Sequence, residues 1–159
     1  MKNIDEIRNR HEIVKFFIQN DPYLQDQNDQ IDQISDLERL ISKVATQKIS
    51  PREVVLLKNS LVAIIPIKEK ARQCANAFLN SLGDQLDICQ PLIDRISLTL
   101  EDDAPVHLNK GKVIKHGVHT ELDELRYISN SGKEYLNHIV TREIERTQIS
   151  SLKIAFNNV

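Results

Sequence analysis

Tryptophan is absent from this 159-residue chain, aromatic residues make up 4% of it, and glycine occurs four times. Sheets are built from aromatic and β-branched residues joined by tight turns rich in glycine, so a sheet-rich fold is a poor match and helices are favoured. The two cysteines, Cys74 and Cys89, lack a C-x-x-C spacing. Both fall in apolar stretches that read as helix, where a free thiol is ordinarily just buried, so neither a disulfide nor a zinc site is expected. No apolar run approaches the length of a bilayer span and the first residues are polar and charged, which predicts no membrane association and a cytoplasmic location. Excess positive charge is missing too. A formal net charge of -2 argues against a chain whose main task is neutralising phosphates, so in isolation weak or no DNA binding is expected. Finally, Gly83, Gly111, Gly117 and Gly132 lie too far apart for a G-x-x-x-x-G-K-[ST] phosphate loop.

What is present is ordinary for a folded protein: 40% hydrophobic and 28% charged residues, with room for one domain and a real core, or one domain and a fragment of a neighbour. The longest regular stretch runs from Thr120 to Thr147. Thr120 is the expected N-cap, with Asp123 as a weak capping-box partner. Leu122, Leu125, Ile128, Leu136, Ile139 and Ile144 recur at helical spacing opposite a charged face. The expected fold is therefore mainly α, a helical bundle organised on one long helix at about 120-147 with most other segments packed on it. Leu125→Ala or Leu136→Ala would then cost about 2–5 kcal/mol.

Taken in order, Asn3 is the expected cap of a first helix to about Asn20, with Ile4, Ile7, Val14, Phe17 and Ile18 as its stripe. Asp21-Pro22 opens a weaker segment carrying Leu24, Ile31 and Ile34. Ser35 with Glu38, and Ser50 with Glu53, read as capping boxes, the second with Pro51 where a missing N–H costs nothing. Val54, Leu57, Leu61 and Ile64 lead to Pro66, expected to kink or restart the helix. Ile67, Ala71, Cys74, Phe78 and Leu82 then continue to Gly83 as a C-terminal cap. Pro91 opens a helix through Ile96. After the acidic 101–103 loop, residues 111-117 predict a small irregular or hairpin β segment. A period-two pattern predicts a terminal strand near 151-158. Because that strand has no partner and Met1 stands close to the first apolar position, an excised piece of a larger protein is expected.

A set of strings in chain order carries a resemblance to the MutS family of DNA mismatch repair proteins, in its core or lever region. Ile34-Ser35-Asp36-Leu37-Glu38-Arg39-Leu40 resembles that family's "I-x-D-L-E-R-L", and Ser50-Pro51-Arg52-Glu53 with Leu57-Lys58 resembles "S-P-R-D…L-K". Asp102-Asp103-Ala104-Pro105, Gly111-Lys112-Val113-Ile114, Gly117 and Glu121 to Arg126 resemble "D-x-P-P…G-G-V-I-x-x-G…E-L-D-E-L-R". Glu145 to Ile149 and Ser151 to Ile154 resemble "E-R-T-G-I…S-L-K-V". Each string alone is weak; their order over nearly the whole chain is not. The chain departs from the pattern at Ala104 for a proline, and at Lys112 and Gln148 for glycines.

The resemblance implies a division at 1-150, a helical core and lever, and 151-159, the first strand of a truncated clamp domain. It implies a lever that couples an ATPase to a clamp encircling DNA, within a dimer that meets DNA and a MutL-type repair protein. ATP and magnesium would belong to the full-length parent, a DNA-dependent ATPase, and not to this stretch, which is expected to be no enzyme. The Phe-x-Glu motif that reads mismatches would precede Met1. A MutS-like homologue with another DNA-related role fits the same strings.

No catalytic, cofactor-binding or metal residue is assigned. His116, His119, Glu121 and Asp123 could suggest a metal cluster but offer no convincing third and fourth ligand. Glu101-Asp102-Asp103 reads as a solvated loop before it reads as an acid–base site. Arg142 to Arg146 reads as a water-facing surface before it reads as an interaction stripe. Ser129 to Gly132 would be either a hinge or a turn between two helices. Beside the lever stand two other classes, a free-standing helical adaptor that docks a partner helix and a small hydrolase using the acidic loop with His116.

Overall fold

Helix α4, Pro51–Gln73, is the hub of the first of two compact units, Met1–Lys115 and His116–Val159, into which the chain divides. The computed structural model describes residues 4–154, which form seven α-helices and no sheet. Helix α4 begins as its sequence dictates. The Ser50 hydroxyl accepts from the Glu53 amide, and the Glu53 carboxylate accepts from the Ser50 amide at 3.0 Å, with Pro51 in the first turn. Its run Val-Val-Leu-Leu-Lys-Asn-Ser-Leu-Val-Ala-Ile-Ile is apolar nearly all round, the pattern of a helix surrounded by others. Val55, Leu57, Leu61, Ala63 and Ala71 are accordingly buried.

Four helices pack on α4: α2 (Asp21–Ile31), α3 (Leu37–Ala45), α5 (Ala77–Gln85) and α6 (Gln90–Thr99); α1 (Ile4–Gln19) packs on α2 and α5. They bring Leu40, Leu79, Ile93 and Ile96 to the core. A polar contact fixes the α2–α3 connection. Ser60, fully buried on α4, donates to the Leu56 carbonyl at 2.9 Å and accepts from the Ser35 amide at 3.0 Å. Beyond α6 the chain leaves and returns: the Glu101 amide donates to Val113 O at 3.0 Å and the Lys115 amide to Thr99 O at 2.9 Å. Between them Ala104 and Val113 are buried.

Several expectations are corrected. The bundle centre is α4, not residues 120-147, because α4 buries Val55, Leu57, Leu61, Ala63 and Ala71 whereas the long helix has no buried residue among those described. Pro66 does not restart the helix: α4 runs through it to Gln73. The helix expected from Ile67 to Gly83 is instead the end of α4 and all of α5, split where the Asn76 side chain caps the Phe78 and Leu79 amides. Gly83 lies buried inside α5 rather than ending it. Asp36, not Ser35, caps α3, accepting from the Arg39 amide at 2.9 Å. Cys74 and Cys89 both sit at helix boundaries, Cys89 exposed.

Of α1 no described residue is buried, and Ile4, Val14 and Ile18 are more than half exposed. Its expected cap, Asn3, lies outside the described residues. The 111-117 segment forms no hairpin. One isolated antiparallel bridge pairs Leu100 with Ile114, and the acidic loop between them closes through a 3-10 turn at Leu108–Lys110. Residues 151 to 154 are turn and irregular chain, not strand, and 155–158 lie outside the described residues.

Candidate functional site

The second unit is built on α7, Thr120–Thr147, a single helix of 28 residues. At 1.5 Å per residue it is about 42 Å long. The chain through Ser129 to Gly132 stays helical, so neither a turn nor two separate helices is found there. The helix tolerates Gly132 because a single glycine costs only about 1 kcal/mol against alanine while its neighbours keep their hydrogen bonds.

The base of α7 is tied by side chains to its own backbone. His119, not Thr120, is the N-cap: its Nδ1 accepts from the Leu122 amide at 3.3 Å. Asp123 turns back to accept from the Gly117 amide at 2.7 Å and from Arg126 at 3.1 Å. The Gly117 contact first, then the neighbouring His116 and Arg126, hold the Asp123 carboxyl below the usual carboxylate range. Gly117, at φ 84°, takes a left-handed turn that glycine adopts without strain. At the far end the Gln148 backbone is left-handed, at φ 59°, and its amide donates to Ile144 O at 2.8 Å while its side chain donates to Glu145 O at 2.8 Å. Both ends of α7 therefore have local partners for their otherwise orphaned backbone groups.

The shaft between them exposes apolar side chains. Leu125 is 59% exposed, Ile128 66% and Tyr135 68%. Of the apolar stripe read from the sequence, Leu125 and Ile128 face open space, and Tyr135, outside that stripe, does so too. Open grooves beside it are lined by Thr120, Tyr127 and Ile128 near the base and by Leu136, Val140 and Leu152 near the far end. Ion pairs on the charged side are short-range, Arg146 and Arg142 both reaching Glu143, at 2.7 and 3.4 Å.

In the first unit the acidic loop is a structural clasp. Asp102 accepts from Lys58 of α4 at 2.5 Å and lies 3.5 Å from Lys115, which also donates to Ser97 O at 2.8 Å. Lys58 foremost, with Lys115, holds the Asp102 carboxyl low. Arg52 of α4 reaches the Ala104 carbonyl at 3.4 Å. Two basic side chains of α4 thus hold the loop that precedes the second unit.

These placements decide what the singled-out residues can do chemically. His116 is highly exposed and 3.9 Å from Asp123, while His119 is committed to the helix cap. Among the described residues no group of three or more His, Cys, Asp or Glu could hold a metal ion. Asp102 is engaged by two lysines, and of Arg142 to Arg146 the residues Arg142, Glu145 and Arg146 are exposed while Glu143 and Ile144 are half-buried. Sequence reasoning missed the Asp102 clasp, whose partners Lys58 and Lys115 lie 44 and 13 residues away. It also missed His119, whose only signal was its place directly before the periodic stretch.

The sequence matches the MutS domain III family over residues 1–158. It is 54% identical over its whole length to the DNA mismatch repair protein MutS of Christiangramia forsetii and to that of Flavobacterium psychrophilum, and 49% identical to that of Bacteroides fragilis. In each case the chain spans 18% of the relative's length. With a uniform helical fold, a family match from end to end and identities of this size, the chain belongs to the MutS domain III family.

Proposed function

We propose that this chain is the lever of a DNA mismatch repair protein, relaying displacement between an ATPase and a clamp that surrounds DNA. The observation that carries the reading is α7 itself, 28 residues of uninterrupted helix with both ends capped locally. A helix held by its own backbone bonds transmits a displacement along its axis, where a loop would absorb it in dihedral rotation. The core packed round α4 is stiff in itself, because close-packed interiors deform little. DNA, a MutL-type protein and a second copy are the partners of the whole protein in this reading, and the work is cytoplasmic.

Nucleotide chemistry belongs elsewhere in the protein. The residues here do not fit ATP and magnesium: Gly83 is inside α5, Gly132 inside α7, and Gly111 and Gly117 are separate turns. None forms a run of backbone amides that could cradle phosphates. A free-standing adaptor is disfavoured by the end-to-end match to one portion of longer relatives.

The test is a helix breaker in the full-length protein. Glu134 is exposed in the middle of α7, so Glu134→Pro removes a backbone bond while disturbing no buried side chain. ATP binding and mismatch affinity should survive, and DNA stimulation of ATP turnover should fall at least tenfold, with Glu134→Ala as the control. Unchanged stimulation in the proline variant would refute the lever.

A further inference from the structure

We infer that α7 carries an acid-sensitive cap, in which protonation of His119 releases the first turn of the long helix. The cap hydrogen bond runs from the Leu122 amide to His119 Nδ1, so that nitrogen must hold a free lone pair. A protonated imidazole donates from both nitrogens and accepts at neither. Taking up a proton therefore deletes the cap. It also places a positive charge at the end of the helix where the backbone dipole is already positive. Both consequences push the same way, and histidine changes charge within the range of ordinary cellular pH. Serine, threonine, aspartate and asparagine, the usual residues at this position, have no such response near neutrality.

Several charged groups surround the cap. Glu121, Asp123 and Glu124 lie in the first turns, and Arg126, one turn on from Leu122, is bound to Asp123 at 3.1 Å. His116 works in the opposite sense to His119. It stands 3.9 Å from Asp123, and on protonation it would strengthen the contact that fastens the preceding turn to the helix. Protonation would therefore loosen the Leu122 amide while adding a charge attraction between His116 and the Asp123 carboxylate. The predicted effect is confined to the first turn: a lever whose base frays as pH falls, not a helix that melts. The inference concerns this helix end itself and stands whether or not the lever reading does.

The test is amide hydrogen exchange of the full chain from pH 8 to pH 5.5, corrected for intrinsic exchange rates, in the native sequence, His119→Asn and His116→Gln. Loss of a cap corresponds to roughly three- to thirty-fold more frequent opening. Protection of the Leu122 amide should fall by that factor on acidification in the native chain and in His116→Gln, and stay level in His119→Asn. Nitrogen chemical shifts should show His119 with its proton on Nε2 at pH 8. Equal pH dependence in native and His119→Asn, no pH dependence in the native chain, or a dependence abolished only by His116→Gln would overturn the inference.

Discussion

Gly83 of α5 lies so close to Ala71 of α4 that a Cβ added to Gly83 would stand 3.0 Å from the Ala71 Cβ and 3.0 Å from the Arg72 backbone nitrogen. That approach explains why glycine sits inside a helix, where it costs about 0.5–1 kcal/mol relative to alanine. Gly83→Ala regains the helix propensity but forces backbone apart, and overpacking costs about 1–3 kcal/mol. A net loss of about 1–2 kcal/mol is expected from urea unfolding. An increase in stability would mean that the two helices are not in such close contact.

The turn before the second unit offers a paired test with opposite signs. Gly111, at φ 68° and ψ -169°, is in a region open essentially to glycine alone, while Lys112 beside it, at φ 53°, bears a side chain in left-handed backbone. Nothing lies within 4 Å of a Cβ at Gly111, so any effect there is backbone strain. Gly111→Ala should destabilise by about 1–3 kcal/mol. Lys112→Gly, which restores the glycine pair of the family pattern, should stabilise by about 1 kcal/mol. Thermal melts of the two variants check both.

Exposure reverses the cost expected for the long helix. Leu125 is 59% exposed and Leu136 36%, so truncating either in this chain should cost less than about 1 kcal/mol. Leu40→Ala or Leu57→Ala, by contrast, should cost about 2–5 kcal/mol, the range first assigned to the α7 leucines, because these side chains are buried. Denaturant midpoints for the four variants should fall into two groups.

Acid sensitivity of the first unit should trace to Glu53. Lys43 first, then the Ser50 amide and hydroxyl, lower its carboxyl from 4.5 to about 2. A carboxyl more acidic in the folded than the unfolded state stabilises fully above its unfolded value. That contribution is lost as pH falls from 4.5 through about 2. Melting temperature should therefore drop over this window, and Glu53→Gln should be less stable at pH 7 and flatter across it. Parallel profiles would remove Glu53 from the account.

Local signals in the sequence were readable where they were chemically self-contained. The Ser50–Pro51–Glu53 start follows from capping and is found; the span of α7 follows from period, while its cap is His119 rather than the expected Thr120 and Ser129 to Gly132 does not break it. The centre of the bundle was misread because amphipathic contrast drew attention to 120–147, whereas α4, apolar on nearly every side, has weak contrast for the very reason that it is enclosed. Gly83 and Pro66 were taken as punctuation; tertiary contact with Ala71 and the packed surroundings of α4 override those propensities. Lys112 and Gln148, read as departures from a glycine pattern, keep the left-handed backbone that pattern implies, which shows the turn geometry to be set by more than the residue itself. The Asp102 clasp was hidden because its partners are distant in sequence.

The central claim is that α7 behaves as one rigid rod. Spin labels at the exposed positions Glu121 and Glu145, placed in the full-length protein with Cys74 and Cys89, and any cysteine outside this region, replaced by alanine, measure this directly. Twenty-four residues of helix separate the labelled backbone positions by about 36 Å. A single narrow distance distribution near that value, unchanged when ATP or mismatched DNA is added, is the predicted result. A broad distribution, or one that shortens with either ligand, would show a helix that bends or breaks and would contradict the account.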